Sequence, residues 1–256
     1  MKKQLLLIIS LLLFQGLHSQ NVEKSIQEIR KHFKWINSQK MKIYFLENEE
    51  FTDDVATEGS GLDMYFQNDT IYKLVRSDAT SNNVFTTEYY LYDGKLFFVF
   101  YKEKTYTRNY DTHEIDGIKV NFEERTYFDN DKIIRHLTKG KSVLNKRQDF
   151  KKQFDEIYKY ADFKVKHLDM IEKLEGMWIN EEGINDNFEF WGLVARQYSE
   201  HVPTTYRWYY DGRYLWFHNT ENTDANDLKY ELLSLTKDKM EVQDRLSGEF
   251  KIYEKR

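Results

Sequence analysis

Residues 204–218 read TTYRWYYDGRYLWFH, and residues 86–100 read TTEYYLYDGKLFFVF. Without a gap the two share Thr-Thr, then Tyr-Asp-Gly, then a basic residue. Asp-Gly between aromatic-rich runs signals a tight β-hairpin, because both turn positions need positive φ and Gly supplies it without steric cost. Asp93-Gly94 and Asp211-Gly212 are therefore expected to reverse the chain, each at the centre of one β-rich unit. A second repeat supports the first unit. MYFQNDTIYKLV at 64–75 aligns with TYFDNDKIIRHL at 126–137, and each Asn-Asp is read as a hairpin tip.

Working outward from the first hairpin, strands are expected near 41–46, 62–67, 70–76, 84–92, 95–107, 118–128 and 131–138, an antiparallel meander. By alternation, Phe85, Tyr89, Leu91, Leu96, Phe98 and Phe100 share one face, the expected core. Tyr90, Tyr92, Lys95, Phe97, Val99 and Tyr101 share the other, which is aromatic enough to call for cover as well. Two amphipathic helices flank these strands. Val22, Ile26, Ile29, Phe33 and Ile36 form one apolar stripe, and Phe150, Phe154, Ile157, Tyr158, Ala161 and Val165 form another. Both are expected to pack on the meander, which makes residues 20–170 an α+β domain.

Residues 171–256 read as a small all-β antiparallel barrel or sandwich. Its seven strands are expected at 175–180, 187–198, 204–210, 213–219, 227–235, 239–246 and 249–255. Parity points Phe188, Phe190, Gly192, Val194, Tyr206, Trp208, Leu215, Phe217, Leu228, Tyr230, Leu232, Met240, Val242, Phe250 and Ile252 inward. Trp191, Arg207, Tyr214, Trp216 and His218 then point outward. They form either a packing surface against the first domain or an aromatic contact patch for a ligand.

The opening Leu174-Glu175-Gly176-Met177-Trp178 and the closing ladder from Tyr230 to Tyr253 resemble a bacterial lipocalin-like domain. The likeness implies that Gly176 and Trp178 form the Gly-x-Trp motif of the first strand. The indole would lie across the closed end of a barrel, under a basic residue from a late strand. Seven strands are one fewer than a full lipocalin's eight, which reads against a roomy cavity. The N-terminal part resembles exported bacterial proteins with Tyr-Asp-Gly-Lys hairpins, a likeness that implies no activity.

The chain begins Met1-Lys2-Lys3, runs apolar from Leu5 to Phe14 and reaches a small residue at Ser19. These are the parts of a secretory signal, with cleavage expected near Ser19 and a periplasmic or secreted product. The apolar run is shorter than the roughly 20 residues of a membrane span, so no transmembrane anchor is expected. The chain holds no cysteine, which excludes disulfides, thiolate metal sites and a cysteine nucleophile. It carries 43 acidic against 38 basic residues, which reads against nucleic acid as a partner. Its 18 Phe, 19 Tyr and 5 Trp, with one Pro, favour sheet.

No catalytic spacing stands out. The histidines outside the leader (His32, His113, His136, His167, His201 and His218) include no pair at i, i+2 or i, i+4, so neither a metal nor a cofactor is called for. Asp129-Asn130-Asp131 begins like a calcium loop but is followed by Ile133 and Ile134, and a hairpin tip explains it better. The acidic stretch Glu47, Glu49, Glu50, Asp53 and Asp54 reads as a solvated loop. The expectation is an exported, non-enzymatic binding protein of the periplasm or envelope, taking a protein partner or an apolar small ligand. The alternatives are an envelope glycan or peptide hydrolase using the 47–54 carboxylates, and an immunity-type protein that blocks a toxin.

Overall fold

The computed structural model describes residues 2–52, 59–108, 115–144, 148–181, 186–199, 203–220 and 226–256, with side chains from Gln20 onward. The leader expected over 1–19, Asp53, Asp54, His113 and His201 lie outside the residues whose side chains are described. Helix α1 (Lys2–Ser38) leads into β1 (Lys42–Glu47), a single helical turn α2 (Asn48–Phe51), and β2 (Ser60–Gln67). Then come β3 (Thr70–Thr80), β4 (Asn83–Tyr92), β5 (Lys95–Arg108), β6 (Ile115–Asp129) and β7 (Lys132–Gly140). Helices α3 (Phe150–Lys166) and α4 (Leu168–Leu174) precede β8 (Gly176–Asn180), β9 (Asn187–Trp191), β10 (Val194–Tyr198) and β11 (Thr204–Tyr210). The chain ends with β12 (Tyr214–Asn219), β13 (Leu228–Leu235), β14 (Lys239–Asp244) and β15 (Phe250–Lys255). Among the described residues no helix is long and apolar enough to cross a membrane.

Strands β1 to β7 form one sheet in sequential order, and β8 to β15 close into an antiparallel barrel. The chain divides into two compact units, 1–43 with 65–151 and 44–64 with 152–256. This differs from a boundary near 170. The stripe of α3 is buried as its spacing predicts, but from Lys152 onward the helix belongs with the barrel, as does the segment around α2.

In the first unit, Ile26, Ile29 and Ile36 of α1, with Val22 and Phe33 at the edge, pack on Tyr90, Phe97, Phe98 and Tyr127. Taking these side chains out of water stabilises the unit by about 25 cal/mol per Å² of apolar surface. The turns follow the sequence closely. Asn68-Asp69, Asn130-Asp131 and Asp93-Gly94 all have positive φ at both positions, the two-residue geometry that matches strand twist. The register of the central hairpin departs from simple alternation. Tyr92 pairs with Lys95 and Leu91 with Leu96, but Tyr90 then pairs with Phe98 and Tyr89 with Val99. A bulge absorbs one residue at Phe97. Tyr89 therefore shares a face with Val99, and Tyr90 with Phe98, and all four are buried.

In the second unit the seven expected strands are eight. The run 187–198 is broken by a turn at Gly192-Leu193, so that Trp191 pairs with Val194 and Phe190 with Ala195. Gly192 has φ +56°, which explains why the break falls there. Gly192 thus lies in the turn, and Val194 on the outer wall opposite Arg207; neither faces inward. The last strand is also out of phase with the expectation. Tyr253, paired with Met240, is fully buried, while Phe250 is 48% exposed and Ile252 falls on the outer face. Alternation in Phe-Lys-Ile-Tyr fits either phase, and the inward Lys251 finds an acid, Asp186. Tyr253 Oη also donates to Asp186 Oδ2 at 3.4 Å.

Aromatic rings fill the barrel. Phe188 lies 5.2 Å from Phe217, 5.7 Å from Tyr253 and 6.1 Å from Tyr230, and Phe190 lies 5.7 Å from Trp208, centroid to centroid. Trp178 is fully buried and donates its indole N–H to the Leu174 carbonyl at 2.6 Å. The late basic residue over it is Lys255, whose ammonium is 5.5 Å from the ring and bonds the Lys173 carbonyl at 2.9 Å. Gly176 (φ +114°) opens this strand, and a Cβ there would press on the Lys255 stem.

Candidate functional site

Outside the barrel's ring cluster, the outer wall of β11, β12 and β13 gathers aromatic and charged side chains around a groove. Cross-strand register sets the arrangement: Arg207 faces His218, Tyr209 faces Trp216, and Trp216 faces Lys229. These neighbours, with Lys159, Tyr160 and Phe163 of α3, line an open groove of about 660 Å³. The α3 residues are spaced so that one helical face meets the strands.

Trp216 lies between its two cross-strand partners. The Tyr209 ring is nearly parallel to it at 6.0 Å, and the Lys229 ammonium is 3.9 Å from its centroid. Its indole N–H donates to Asp211 Oδ2 at 2.8 Å. The carboxylate also accepts the Arg213 and Tyr214 backbone N–H groups. Partial burial acts to raise the Asp211 pKa, but these donors outweigh it and hold the group below its ordinary range. The turn itself is displaced by one residue from the expected Asp211-Gly212. Tyr210 pairs with Leu215, so the tip is Gly212-Arg213 with φ +99° at Gly212, and Asp211 is freed to brace it.

Arg207 lies on the outer wall but is only 3% exposed. Its Nε donates to the Glu49 carbonyl at 3.0 Å and its Nη1 to the Tyr160 hydroxyl at 3.3 Å, and the guanidinium is 4.9 Å from the Tyr160 ring. Helix α3 and the α2 segment thus cover the wall at this point. At the other end of the groove, His218 Nδ1 is 3.2 Å from Asp227 Oδ2, and Asp227 Oδ1 accepts the Asn219 N–H at 2.9 Å. Burial works to raise the Asp227 pKa, but the Asn219 and His218 contacts prevail and lower it. The His218 and Asp227 side chains are 56% and 61% exposed, the reverse of the dry setting in which a proton-transfer pair gains most.

Of the five outward residues expected to form a contact patch, the structure brings Arg207, Trp216 and His218 into one groove. Tyr214 stands beside it, its ring 6.4 Å from Trp216 and 4.2 Å from the Lys229 ammonium. Trp191 is not among them. It lines a separate hollow of about 230 Å³ with Tyr44, Glu47, Glu172 and Glu175, and the Arg196 guanidinium is 5.2 Å from its ring. Lys159, Tyr160, Phe163, Tyr209, Asp227 and Lys229 were not singled out by sequence. The available signal for Lys229 was its outward parity between Leu228 and Tyr230.

The acidic stretch also resolves differently from a solvated loop. Glu47 and Glu49 are exposed, but Glu50 is 5% exposed and pairs with Lys164 at 2.6 Å. Glu50 also accepts the Leu193 N–H at 2.9 Å and the Glu47 N–H at 2.8 Å. A side chain at Gly192 would overlap its carboxylate. The carboxylate ties the α2 turn to α3 and to the Gly192-Leu193 turn. Among the described residues no three acids or histidines converge as a metal site. Compared with known proteins, the chain matches no family model, no curated protein and no solved structure, so the meaning of this groove rests on its own geometry.

Proposed function

We propose that the chain is an exported, non-enzymatic binding protein of the periplasm or cell envelope, and that it takes an apolar small ligand or a protein partner in the groove outside its barrel. One observation carries this reading. Rings pack inside the barrel, while the outer wall gathers Tyr209, Trp216 and Arg207, the residue types that dominate recognition surfaces, with Lys229 beside them around an open hollow of about 660 Å³. Eight antiparallel strands and a basic residue over the Trp178 indole support the lipocalin-like resemblance as to scaffold. They do not extend it to an internal ligand.

The test is to express the full chain with its own N-terminal residues, fractionate the cells and analyse what co-purifies. The expected product begins at Gln20, appears in the envelope or medium, and carries a lipid or partner that Trp216→Ala releases. A chain retained uncleaved in the cytosol, or turnover of envelope glycans or peptides, would overturn the reading.

A further inference from the structure

Two ammonium groups at the groove lie over rings and make no ion pair at contact distance with a described acid, Asp211 acting on Lys229 only at longer range. Lys229 Nζ lies 3.9 Å from the Trp216 centroid and 4.2 Å from that of Tyr214, and Lys159 Nζ lies 4.7 Å from that of Tyr160. Among the described residues neither comes within ion-pair distance of an acid. The only acid among the described residues lining the groove, Asp227, is engaged by His218 and by the Asn219 N–H. Arg207 adds a third positive charge from the wall. The chain as a whole has an acidic excess, so this concentration of cations runs against its overall balance. An ammonium over an aromatic face keeps its hydrogen-bond donors for a further partner. The same lining offers apolar surface on Phe163, Tyr209 and Trp216, within a volume in the range of about 300–1,000 Å³ usual for small-molecule sites.

Resting on the binding reading above, we propose that the ligand of this groove is a small amphipathic carboxylate. Its apolar body lies along Phe163, Tyr209 and Trp216, and its acidic head meets the Lys159 and Lys229 ammonium groups. A neutral or cationic amphiphile would make no charge-assisted bond to either ammonium group and gain only the apolar contact. Charge-assisted hydrogen bonds are roughly twice as strong as neutral ones, which gives the head group the deciding share of selectivity.

The test is a titration of the full chain with dodecanoate below its micelle concentration, followed by calorimetry and tryptophan fluorescence. Dodecanol and dodecyltrimethylammonium serve as controls of equal chain length. Saturable 1:1 binding of dodecanoate is expected, with both controls at least tenfold weaker. Lys159→Met and Lys229→Met should each reduce affinity about tenfold, as loss of one charge-assisted bond predicts. Both lysines lie outside the core, so folding is checked by an unchanged melting temperature. Equal binding of dodecanol and dodecanoate, or undiminished binding by the double lysine variant, would overturn the carboxylate assignment. If capture of a co-purifying partner still depends on Trp216 in that case, the binding reading stands without it. If Trp216→Ala changes neither dodecanoate binding nor capture, both fall together.

Discussion

The hairpin of β11 and β12 shows two faces of one ribbon put to opposite uses. Inward, Tyr206, Trp208, Leu215 and Phe217 are each at most 2% exposed, and the three aromatics among them touch other rings. Outward, Tyr209 and Trp216 are as aromatic, but they stack on each other and on a lysine, with an opening beside them. Composition does not separate the faces. What separates them is whether the neighbouring elements close over the rings, and α3 closes only part of the outer wall.

This contrast is sharpened most by Trp208→Ala. Its indole is fully buried and bonds the Gly192 carbonyl at 3.1 Å, so truncation is expected to cost about 3–5 kcal/mol in urea unfolding of the barrel unit. A loss below about 1 kcal/mol would mean the interior is not packed as described. Next in size is the brace that closes the covered part of the outer wall. Glu50→Gln or Lys164→Met alone leaves a buried charge without its partner, and each should cost about 3–5 kcal/mol. The double variant should recover most of this, since the amide oxygen still accepts from Leu193. Additive losses in that cycle would show that the two groups do not act as a pair.

On the open part of the wall, Trp216→Ala should cost only about 1 kcal/mol, the value of one cross-strand ring pair and one cation–π contact. A loss as large as that of Trp208→Ala would erase the distinction between the faces. The smallest effect concerns pH. Asp211 has a folded pKa below its unfolded value, so its contribution is complete above the ordinary carboxylate range of about 3.9. It is lost as pH falls through the lower folded value, because the unfolded chain then binds more protons. A melting-temperature profile should therefore fall less steeply on acidification in Asp211→Asn than in the parent, and identical slopes would count against the Asp211–Trp216 contact.

The strand limits of the first unit were legible in the sequence because Asn68-Asp69, Asp93-Gly94 and Asn130-Asp131 are turns specified by local conformational preference. What local preference does not encode was missed. The bulge at Phe97 leaves composition unchanged and shifts only the pairing. The turn at Gly192-Leu193 lacks a turn dipeptide and depends on a carboxylate 143 positions away. Parity placed Arg207, Trp216 and His218 on the outer wall correctly, yet it does not reveal that α3 brings Lys159 and Tyr160 to the same place. The apolar stripe of α3 was read, but not its buried Lys164, because a lysine on such a stripe becomes intelligible only beside Glu50.

The tie between Glu50 and Lys164 also orders events during synthesis. A chain growing from its N-terminus presents the carboxylate 114 residues before the ammonium that will neutralise it, and 143 before the Leu193 amide. Until then the α2 segment has nothing to brace, and a polypeptide released early carries an acid with no buried place to go. The barrel unit is therefore completed only once the C-terminal strands emerge, and the α2 turn reaches its buried, braced setting only then.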